Sequence, residues 1–248
     1  MIVDAHAHLP PGDDALGRLL AMMDRANIAR AVVVPGGTIS PEVLSHNIAF
    51  GGGVDVTPDN PRVAAASRAS ERRLIPFFFA NPHTRAEAYA EAAPSFFGLK
   101  LGPAVHGVPF NDPRILSLVE VAAANRHPVY LHTLPRPGFG IADVVELAAR
   151  FPAVSIIVGH AAGGHCEFHA LEPLSRLPNL FLEMSGGFTS FVAASVRRLG
   201  ADRVLFGSEY PLQDPRAELM KLQCVDLTAE ELNAILYGNI TKLLGGAR

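Results

Sequence analysis

Residues 2–8 read Ile-Val-Asp-Ala-His-Ala-His, a pattern that predicts a β-strand with two histidines at its carboxyl end. Successive side chains of a strand point to opposite faces, so His6 and His8 share one face. Their Cα atoms lie about 6–7 Å apart in an extended chain, a separation from which two imidazoles can bind one ion. His-X-His alone is a weak signal, so the rest of the chain has to supply further ligands.

Seven more strand candidates follow, and most are separated by amphipathic helical stretches. Several are nearly continuous apolar runs, such as Ala31-Val-Val-Val and Val154-Ser-Ile-Ile-Val, which indicate parallel strands buried on both faces. The eight predicted strands are Ile2–His8, Ala31–Pro35, Leu74–Ala80, Phe96–Leu101, Val129–His132, Val154–Gly159, Leu180–Met184 and Arg203–Gly207. The predicted helices include Leu16–Ala26, Pro113–Asn125, Ala142–Arg150 and Ser190–Leu199.

Strand and helix thus alternate about eight times in 248 residues, which is the pattern and usual size of a (β/α)8 barrel. We therefore predict an α/β protein with a TIM-barrel fold, in a single domain over residues 1–248. An open doubly wound sheet is the alternative, because strand order cannot be deduced from sequence. Residues 36–61 contain Gly51-Gly52-Gly53 and little periodicity. We predict a long loop there, either a lid over the carboxyl ends of the strands or a solvated surface loop.

The composition limits the classes of function. Lys and Arg total 21 against 24 Asp and Glu, a net charge of −3, so no basic surplus is available to neutralise a nucleic-acid backbone. The two cysteines, Cys166 and Cys224, form no disulfide framework and suit a reducing compartment. We find no signal-peptide pattern and no apolar run long enough to cross a membrane. We therefore predict a cytoplasmic protein that acts on a small molecule and contacts neither nucleic acid nor membrane.

Polar side chains gather at the predicted carboxyl ends of the strands. They are His6 and His8 on the first strand, Lys100 near the end of the fourth, His132 at the end of the fifth, His160 after the sixth and Glu209 after the eighth. In a barrel these ends meet at one mouth, where active sites lie, so the set predicts a metal centre. Imidazole and carboxylate ligands suit one divalent ion, with Zn²⁺ first and Mn²⁺, Fe²⁺ or Co²⁺ as alternatives.

Seven segments in this order resemble motifs of the amidohydrolase superfamily. Val3-Asp4-Ala5-His6-Ala7-His8 resembles its opening motif. The whole is similar to the amidohydrolase-related branch that includes aminocarboxymuconate-semialdehyde decarboxylase, related non-oxidative decarboxylases and lactone hydrolases. The other resembling segments are Gly98–Leu101, Pro128–His132, Ile157–Gly163, Asn179–Gly186, Val204–Pro211 and Ile235–Leu244. Each motif is weak alone, but their order and spacing are specific.

The resemblance implies roles for the polar set. It implies that one metal ion is held by His6, His8 and His132, with the acidic residue at position 209 as a further ligand or a base. It also implies that His160 orients a water or a substrate oxygen and that Lys100 contacts an anionic group of the substrate. Relatives of this branch often form dimers, which makes a homodimer the expected assembly.

Two positions depart from the family pattern. Position 209 is usually Asp in the family and is Glu here, and the extra methylene could move the carboxylate by about 1 Å. Glu209 could then ligate the metal, act as a base, or reach the metal only through water; a plain surface glutamate is the remaining interpretation. Many relatives carry a histidine where this chain has Gly102, so one substrate contact is missing.

Three functions remain open on the sequence. The main hypothesis is metal-dependent hydrolysis of a lactone, ester or amide bond through metal-activated water, with Glu209 or His160 moving the proton. The second is non-oxidative decarboxylation at the same metal, with Lys100, Arg73 or a partner-subunit arginine binding the carboxylate. The third is a barrel without catalysis that binds a small molecule or a protein.

Other polar residues have two interpretations each. Lys100 is either a substrate-binding cation or a structural lysine whose stem is buried and whose charge reaches water. Asp4 is either a hydrogen-bond acceptor behind the ligands or a buried carboxylate of the barrel floor. Four histidines either line the site or serve as surface and capping residues, namely His83, His106, His165 and His169. Cys166 has no triad-like context, so we predict that it is inert.

Overall fold

The computed structural model describes residues 1–164 and 167–245. The strands are β1 (Val3–Leu9), β2 (Arg30–Pro35), β3 (Leu74–Pro76), β4 (Phe78–Phe79), β5 (Leu99–Leu101), β6 (Val129–Leu131), β7 (Ile156–Val158), β8 (Leu180–Glu183) and β9 (Val204–Leu205). The helices are α1 (Ala15–Arg25), α2 (Pro41–Phe50), α3 (Asn60–Ala69), α4 (Glu87–Ala92), α5 (Pro103–His106), α6 (Pro113–Asn125), α7 (Ile141–Arg150), α8 (His160–Gly163), α9 (Leu171–Ser175), α10 (Thr189–Leu199), α11 (Pro215–Gln223), α12 (Ala229–Asn233) and α13 (Asn239–Leu243). A π-helical turn, Ala234–Gly238, joins α12 to α13.

All strand pairs are parallel and follow chain order, with β1–β3 in one sheet and β4–β9 in a second. Only Phe77 separates β3 from β4, and its N–H donates to the Val33 carbonyl at 3.0 Å, so the two segments act as one strand of eight. At the other edge, Ala5 N donates to the Phe206 carbonyl at 2.9 Å, which joins the first strand to the last. The predicted (β/α)8 order is confirmed, whereas the doubly wound alternative, which breaks chain order, is wrong.

The apolar strands are buried on both faces, as their sequences predict. Val33 packs with the helices, whereas Val32 and Val34 face a second cluster enclosed by the strands. That inner cluster also contains Phe79 and Tyr130. Alternation along each strand therefore fills the barrel interior with large side chains and leaves the polar groups at the carboxyl ends to form the mouth.

The predicted long loop at residues 36–61 is wrong in part, because α2 occupies ten of these residues. Ser40 caps this helix by accepting from Val43 N at 3.4 Å. The helix buries only Asn47, so it has no apolar stripe and its sequence carries no periodic signal. Within this segment, residues 36–40 and 51–59 lack helix and strand structure.

Helix α2 is held at the mouth by hydrogen bonds from two other segments. Asn47 Nδ2 donates to the Ala104 carbonyl on α5 at 2.9 Å, and Arg136 from the loop after β6 donates to the Asn47 carbonyl at 2.7 Å. Residues 51–59 then cross α5, where Val54 N donates to the Val105 carbonyl at 2.8 Å. Across the described ranges we find no helix with the length and apolar character needed to span a bilayer.

Candidate metal centre

His6 and His8 on β1 meet Glu209, which follows β9. Nε2 of His6 lies 3.3 Å from Glu209 Oε2, and Nε2 of His8 lies 3.2 Å from Glu209 Oε1. Ligand atoms of the three residues all lie within 4.8 Å of one another, which fits one metal ion. Glu209 has a φ of 53°, and its N–H donates to the His6 carbonyl at 2.9 Å, so the turn after β9 is fixed against β1.

The buried atoms of this group have the properties of metal ligands. His6 is fully buried, and neither of its ring nitrogens makes a hydrogen bond within the described ranges; the same is true of Glu209 Oε2. Buried polar atoms are nearly always hydrogen-bonded, so atoms that converge without partners fit a bound cation. Burial, with a contribution from the Lys100 charge, lowers the pKa of His6 well below its ordinary value and leaves the imidazole lone pair available.

His132, which follows β6, borders this group. Its Nε2 lies 3.7 Å from Glu209 Oε2 and 3.1 Å from Lys100 Nζ. The compact metal-binding group comprises His6, His8 and Glu209 without His132, so His132 stays a predicted ligand. Burial, together with the Lys100 charge, lowers the pKa of His132 to about 4 and keeps the ring neutral.

Lys100 on β5 places its charge inside the protein. The residue is 2% exposed, and its ammonium lies 4.2 Å from the ring centre of Tyr130 in a cation–π contact. The interpretation in which the stem is buried and the charge reaches water is therefore wrong. Burial lowers the pKa of Lys100 to about 7, although the charges of Glu209 and Glu183 act in the opposite direction.

His160 lies on α8, whose backbone is left-handed rather than helical. The φ angles of His160, Ala161 and Ala162 are 57°, 49° and 68°, values that cost energy for residues other than glycine. The His160 ring lies 5.8 Å from the ring of His132, measured between centroids, and its Nδ1 lies 3.3 Å from Ser185 Oγ. This turn therefore brings the predicted proton-transfer residue next to the predicted ligand.

Glu183, the last residue of β8, is a site residue that sequence reasoning missed. Its fully buried carboxylate accepts from the Tyr130 hydroxyl at 2.7 Å, from His160 N at 3.0 Å and from the Ser185 hydroxyl at 2.9 Å. Gly207 makes room for it, because a Cβ at that position would collide with Glu183 Oε1. The sequence signals are a lone carboxylate in an otherwise apolar strand and its place in the resembling segment Asn179–Gly186, for which no role was predicted at this position.

Tyr130 lies behind the metal-binding group. Its ring stacks on the His6 imidazole, with centroids 4.0 Å apart and planes inclined by 20°. Burial, reinforced by the charge of Glu183, raises the pKa of the Tyr130 hydroxyl well above its ordinary value, so this group acts as a donor. Tyr130 was part of a resembling segment, but no role was predicted for it.

Asp4 supports the backbone of the site. It is fully buried, and its Oδ1 accepts from His6 N at 3.0 Å and from Ser208 N at 2.9 Å. It thus acts as an acceptor behind the ligands, although it bonds to the main chain of His6 rather than to the ring. Burial raises the pKa of Asp4 to about 7.

For three of the four histidines that the sequence left open, the structure can be compared with the surface or capping interpretation. The surface or capping interpretation is wrong for His106, which is 2% exposed and whose Nε2 bonds the Val56 carbonyl at 2.9 Å. His83 is exposed and bonds the His106 carbonyl at 2.9 Å, and His169 is exposed beside Glu167 at 3.3 Å. His165 and Cys166 lie outside the described residues.

Three further sequence expectations concern single positions. Glu209 is 3% exposed, so the surface-glutamate interpretation is wrong. Arg73 precedes β3, at the end of the barrel opposite the mouth, and pairs with Asp24 at 2.8 Å, so it cannot bind a substrate carboxylate at this site. At Gly102 a Cβ would lie 2.7 Å from the ring of Phe79, so a histidine at this position would require Phe79 to move.

Comparisons with known proteins agree with this architecture. A 5-carboxyvanillate decarboxylase from Novosphingobium aromaticivorans with bound manganese has a TM-score of 0.75 and 16% identity, over 99% of this chain and 97% of that one. A 2,6-dihydroxybenzoate decarboxylase from Rhizobium has a TM-score of 0.73 and 16% identity, over 100% and 99%. A candidate 2-pyrone-4,6-dicarboxylic acid hydrolase from Pseudomonas putida has a TM-score of 0.73 and 18% identity, over 100% and 98%.

At identities this low, the TM-scores show that the fold is shared. A search of curated proteins by sequence gives no match. The family profile described as amidohydrolase matches residues 3–246, a range that includes β1 with its two histidines and the turn with Glu209. The chain therefore belongs to the amidohydrolase family.

Proposed function

We propose that this protein is a metal-dependent, non-oxidative decarboxylase of a small organic acid. The observation that carries the proposal is the buried ammonium of Lys100, which lies 3.1 Å from His132 at the edge of the His6, His8 and Glu209 group. A buried cation beside a metal site is suited to a substrate carboxylate, which can contact both. Two of the similar structures are decarboxylases of hydroxylated aromatic acids, which supports this function over the hydrolysis that was our main sequence hypothesis.

In this proposal, four residues bind the metal ion and Lys100 binds the substrate. His6, His8, His132 and Glu209 hold one divalent ion, and manganese in a similar structure makes Mn²⁺ as strong a candidate as Zn²⁺. The ion supplies a Lewis acid that polarises the substrate oxygens. Lys100 binds the carboxylate and orients it toward the ion. Water has restricted access to His6 and Lys100, because both are buried.

His160 transfers the proton in this proposal. The Ser185 hydroxyl donates to Glu183, so its oxygen is available to accept from His160 Nδ1, and this contact favours a proton on Nδ1. Nε2 is then the atom that takes up and releases a proton. In decarboxylation Nε2 first takes up a proton from solvent; the bond to the carboxyl carbon then breaks, CO₂ leaves, and this proton replaces it on the remaining carbon.

Hydrolysis is the second candidate, and the candidate 2-pyrone-4,6-dicarboxylic acid hydrolase among the similar structures favours it. The target would be a lactone, ester or amide bond, with water as the second reactant. His160 Nε2 would accept a proton from that water and return it to the leaving oxygen or nitrogen. A non-catalytic binding barrel is the third candidate.

One experiment separates the three. The protein is purified without chelators, loaded with Mn²⁺ or Zn²⁺, and incubated with hydroxybenzoates, unsaturated carboxylic acids and lactones. Release of CO₂ in equal amount to the substrate consumed, lost in the His6→Ala/His8→Ala variant, is the expected result. Ring opening without CO₂ would support hydrolysis instead. Retained metal and measurable ligand binding with no turnover would support the binding barrel.

The remaining sequence expectations enter the proposal unchanged. We propose one domain over residues 1–248, which a single unfolding transition shared by two spectroscopic probes would support. We also propose a homodimer in the cytoplasm that acts on a small molecule and binds neither nucleic acid nor membrane. Light scattering and cell fractionation test these statements.

A further inference from the structure

One buried carboxylate outside the metal-binding group contacts both sides of the site. Glu183 accepts every hydrogen bond it makes in the described ranges, from Tyr130, from His160 and from both the N–H and the hydroxyl of Ser185. A carboxylate is the side chain that can accept this many donors at once without offering one. The chemistry of position 183 is therefore set by its four donors.

The first side of the site is reached through Tyr130. Glu183 Oε2 accepts the Tyr130 hydroxyl at 2.7 Å, which fixes the ring along its long axis. That ring stacks on His6 at 4.0 Å and carries the Lys100 ammonium at 4.2 Å from its centre. Among the described residues His6 makes no hydrogen bond through either ring nitrogen, so the close stacking on Tyr130 contributes to the orientation of its imidazole.

The second side is reached through His160. Glu183 Oε2 accepts the His160 N–H at 3.0 Å, and this bond holds a residue whose φ of 57° is otherwise unfavourable. The same oxygen accepts the Ser185 hydroxyl at 2.9 Å, and the Ser185 oxygen in turn faces His160 Nδ1 at 3.3 Å. Glu183 therefore contacts the backbone of His160 directly and its ring through one hydroxyl.

We propose that Glu183 is a positioning residue that sets the orientation of His6 and Lys100 through Tyr130 and of His160 through its N–H and Ser185. Loss of the carboxylate then disturbs the metal-binding group and the proton-transfer residue together, although Glu183 touches neither ligand nor substrate. The consequence for catalysis rests on the proposed function. The consequence for metal binding does not require turnover.

The first test removes one oxygen atom. Tyr130→Phe keeps the ring that stacks on His6 and deletes only the hydroxyl that Glu183 holds. Tyr89→Phe is the matched control, because Tyr89 is also buried and its hydroxyl bonds His127 Nδ1 at 2.8 Å, away from the site. We expect Tyr130→Phe to weaken Co²⁺ binding about 10-fold in a chelator competition and Tyr89→Phe to leave it unchanged.

The second test changes the carboxylate itself. Glu183→Gln places an amide NH₂ among donors, and Glu218→Gln makes the same change at a carboxylate that is 4% exposed on α11. We expect Glu183→Gln to weaken Co²⁺ binding about 10–100-fold and to shift the visible absorption bands of bound Co²⁺. The Glu183→Gln/Tyr130→Phe double variant should bind Co²⁺ as Glu183→Gln does, because Glu183 acts on His6 through its hydrogen bond to the Tyr130 hydroxyl.

The outcomes are distinct. Unchanged Co²⁺ affinity and spectrum in folded Tyr130→Phe overturn the inference, whether or not Glu183→Gln folds, as does an equal loss in Tyr89→Phe. Either result leaves the proposed function standing. Failure of the unaltered protein to bind Co²⁺, Zn²⁺ or Mn²⁺ overturns both.

Discussion

Lys100 Nζ on β5 lies 3.1 Å from Nε2 of His132, which directly follows the neighbouring strand β6. An ammonium can only donate, so the imidazole nitrogen that faces it is an acceptor and the ring is neutral. The charge of Lys100 forms no ion pair within 4.0 Å in the described ranges. A buried charge whose direct contacts are a neutral ring and an aromatic face, with the carboxylates of Glu209 and Glu183 acting from farther away, lowers stability, so its presence points to function.

Replacement of this lysine should therefore separate stability from activity. Lys100→Met keeps the stem and removes the charge, so we expect the free energy of unfolding to rise by about 1–4 kcal/mol. At the same time KM for a carboxylate substrate should rise by about 10-fold or more, because the anion loses its partner. Urea unfolding and steady-state kinetics measure the two effects. Lys242→Met, at an exposed position, should change neither, and a destabilised Lys100→Met would contradict the argument.

The role of Glu209 can be decided by metal content. Glu209→Gln removes the charge of a carboxylate whose Oε2 is buried and has no hydrogen bond from the described part of the chain, so we expect most of the bound metal to be lost. Elemental mass spectrometry of protein purified without a polyhistidine tag measures the stoichiometry. Glu218→Gln should keep about one equivalent. Full retention of metal by Glu209→Gln would show that Glu209 is not a ligand and would leave it the role of a base.

Alanine substitutions at two glycines should change the free energy of unfolding in opposite directions, because the space around each glycine differs. Gly159 precedes His160 at a φ of −84°, which any residue can adopt, yet a Cβ there would collide with the Tyr130 hydroxyl. We expect Gly159→Ala to lower the free energy of unfolding by about 1–3 kcal/mol. Gly238 has a helical φ of −62°, and the nearest atom to a Cβ is 3.8 Å away. Gly238→Ala should therefore raise the free energy of unfolding by about 0.4–1 kcal/mol. Urea unfolding of both variants is the measurement, and equal effects would contradict the packing argument.

His106 should contribute to the acid sensitivity of the fold. Burial lowers its pKa, and the nearby His83 acts in the same direction, whereas the bond to Val56 and the charge of Asp55 oppose it. The unfolded chain then binds more protons than the folded one below about pH 6.5, so stability falls as the pH decreases through this range. We expect His106→Gln to reduce the slope of unfolding free energy against pH below about pH 6.5.

The control for this measurement is His46→Gln, at an exposed position of α2, which should leave the slope unchanged. If His106→Gln and the unaltered protein have the same slope, then His106 takes up protons equally in both states. The bond from His106 to the carbonyl of Val56 would then be purely structural.

The order of strands and the core were predictable because they depend on local patterns. Runs such as Val32–Val34 are apolar on both faces, and only a parallel sheet covered by helices buries both. The observed strands are shorter than predicted, for example Leu99–Leu101 within the predicted Phe96–Leu101, because apolar character extends past the last ladder hydrogen bond. Helix α2 was missed because hydrogen bonds at Asn47, rather than an apolar stripe, hold it in place.

The polar set of the site was predictable from position at strand ends and from resemblance. The residues behind it were not. Glu183 and Tyr130 lie inside segments that read as ordinary strands, and their importance comes from a hydrogen bond between residues 53 positions apart. The position of His132 beside Lys100, outside the compact group, depends on side-chain geometry that sequence does not contain.

The group that fits a metal ion joins the first strand to the turn after the last strand. His8 and Glu209 are 201 positions apart and meet where β9 lies beside β1. A nascent chain therefore has no such group until β9 has left the ribosome and docked on β1. An ion that binds there binds only molecules in which β9 is paired with β1. Its free energy of binding therefore opposes the local unfolding of either strand. Resistance to proteases that attack frayed ends should thus depend on metal supply.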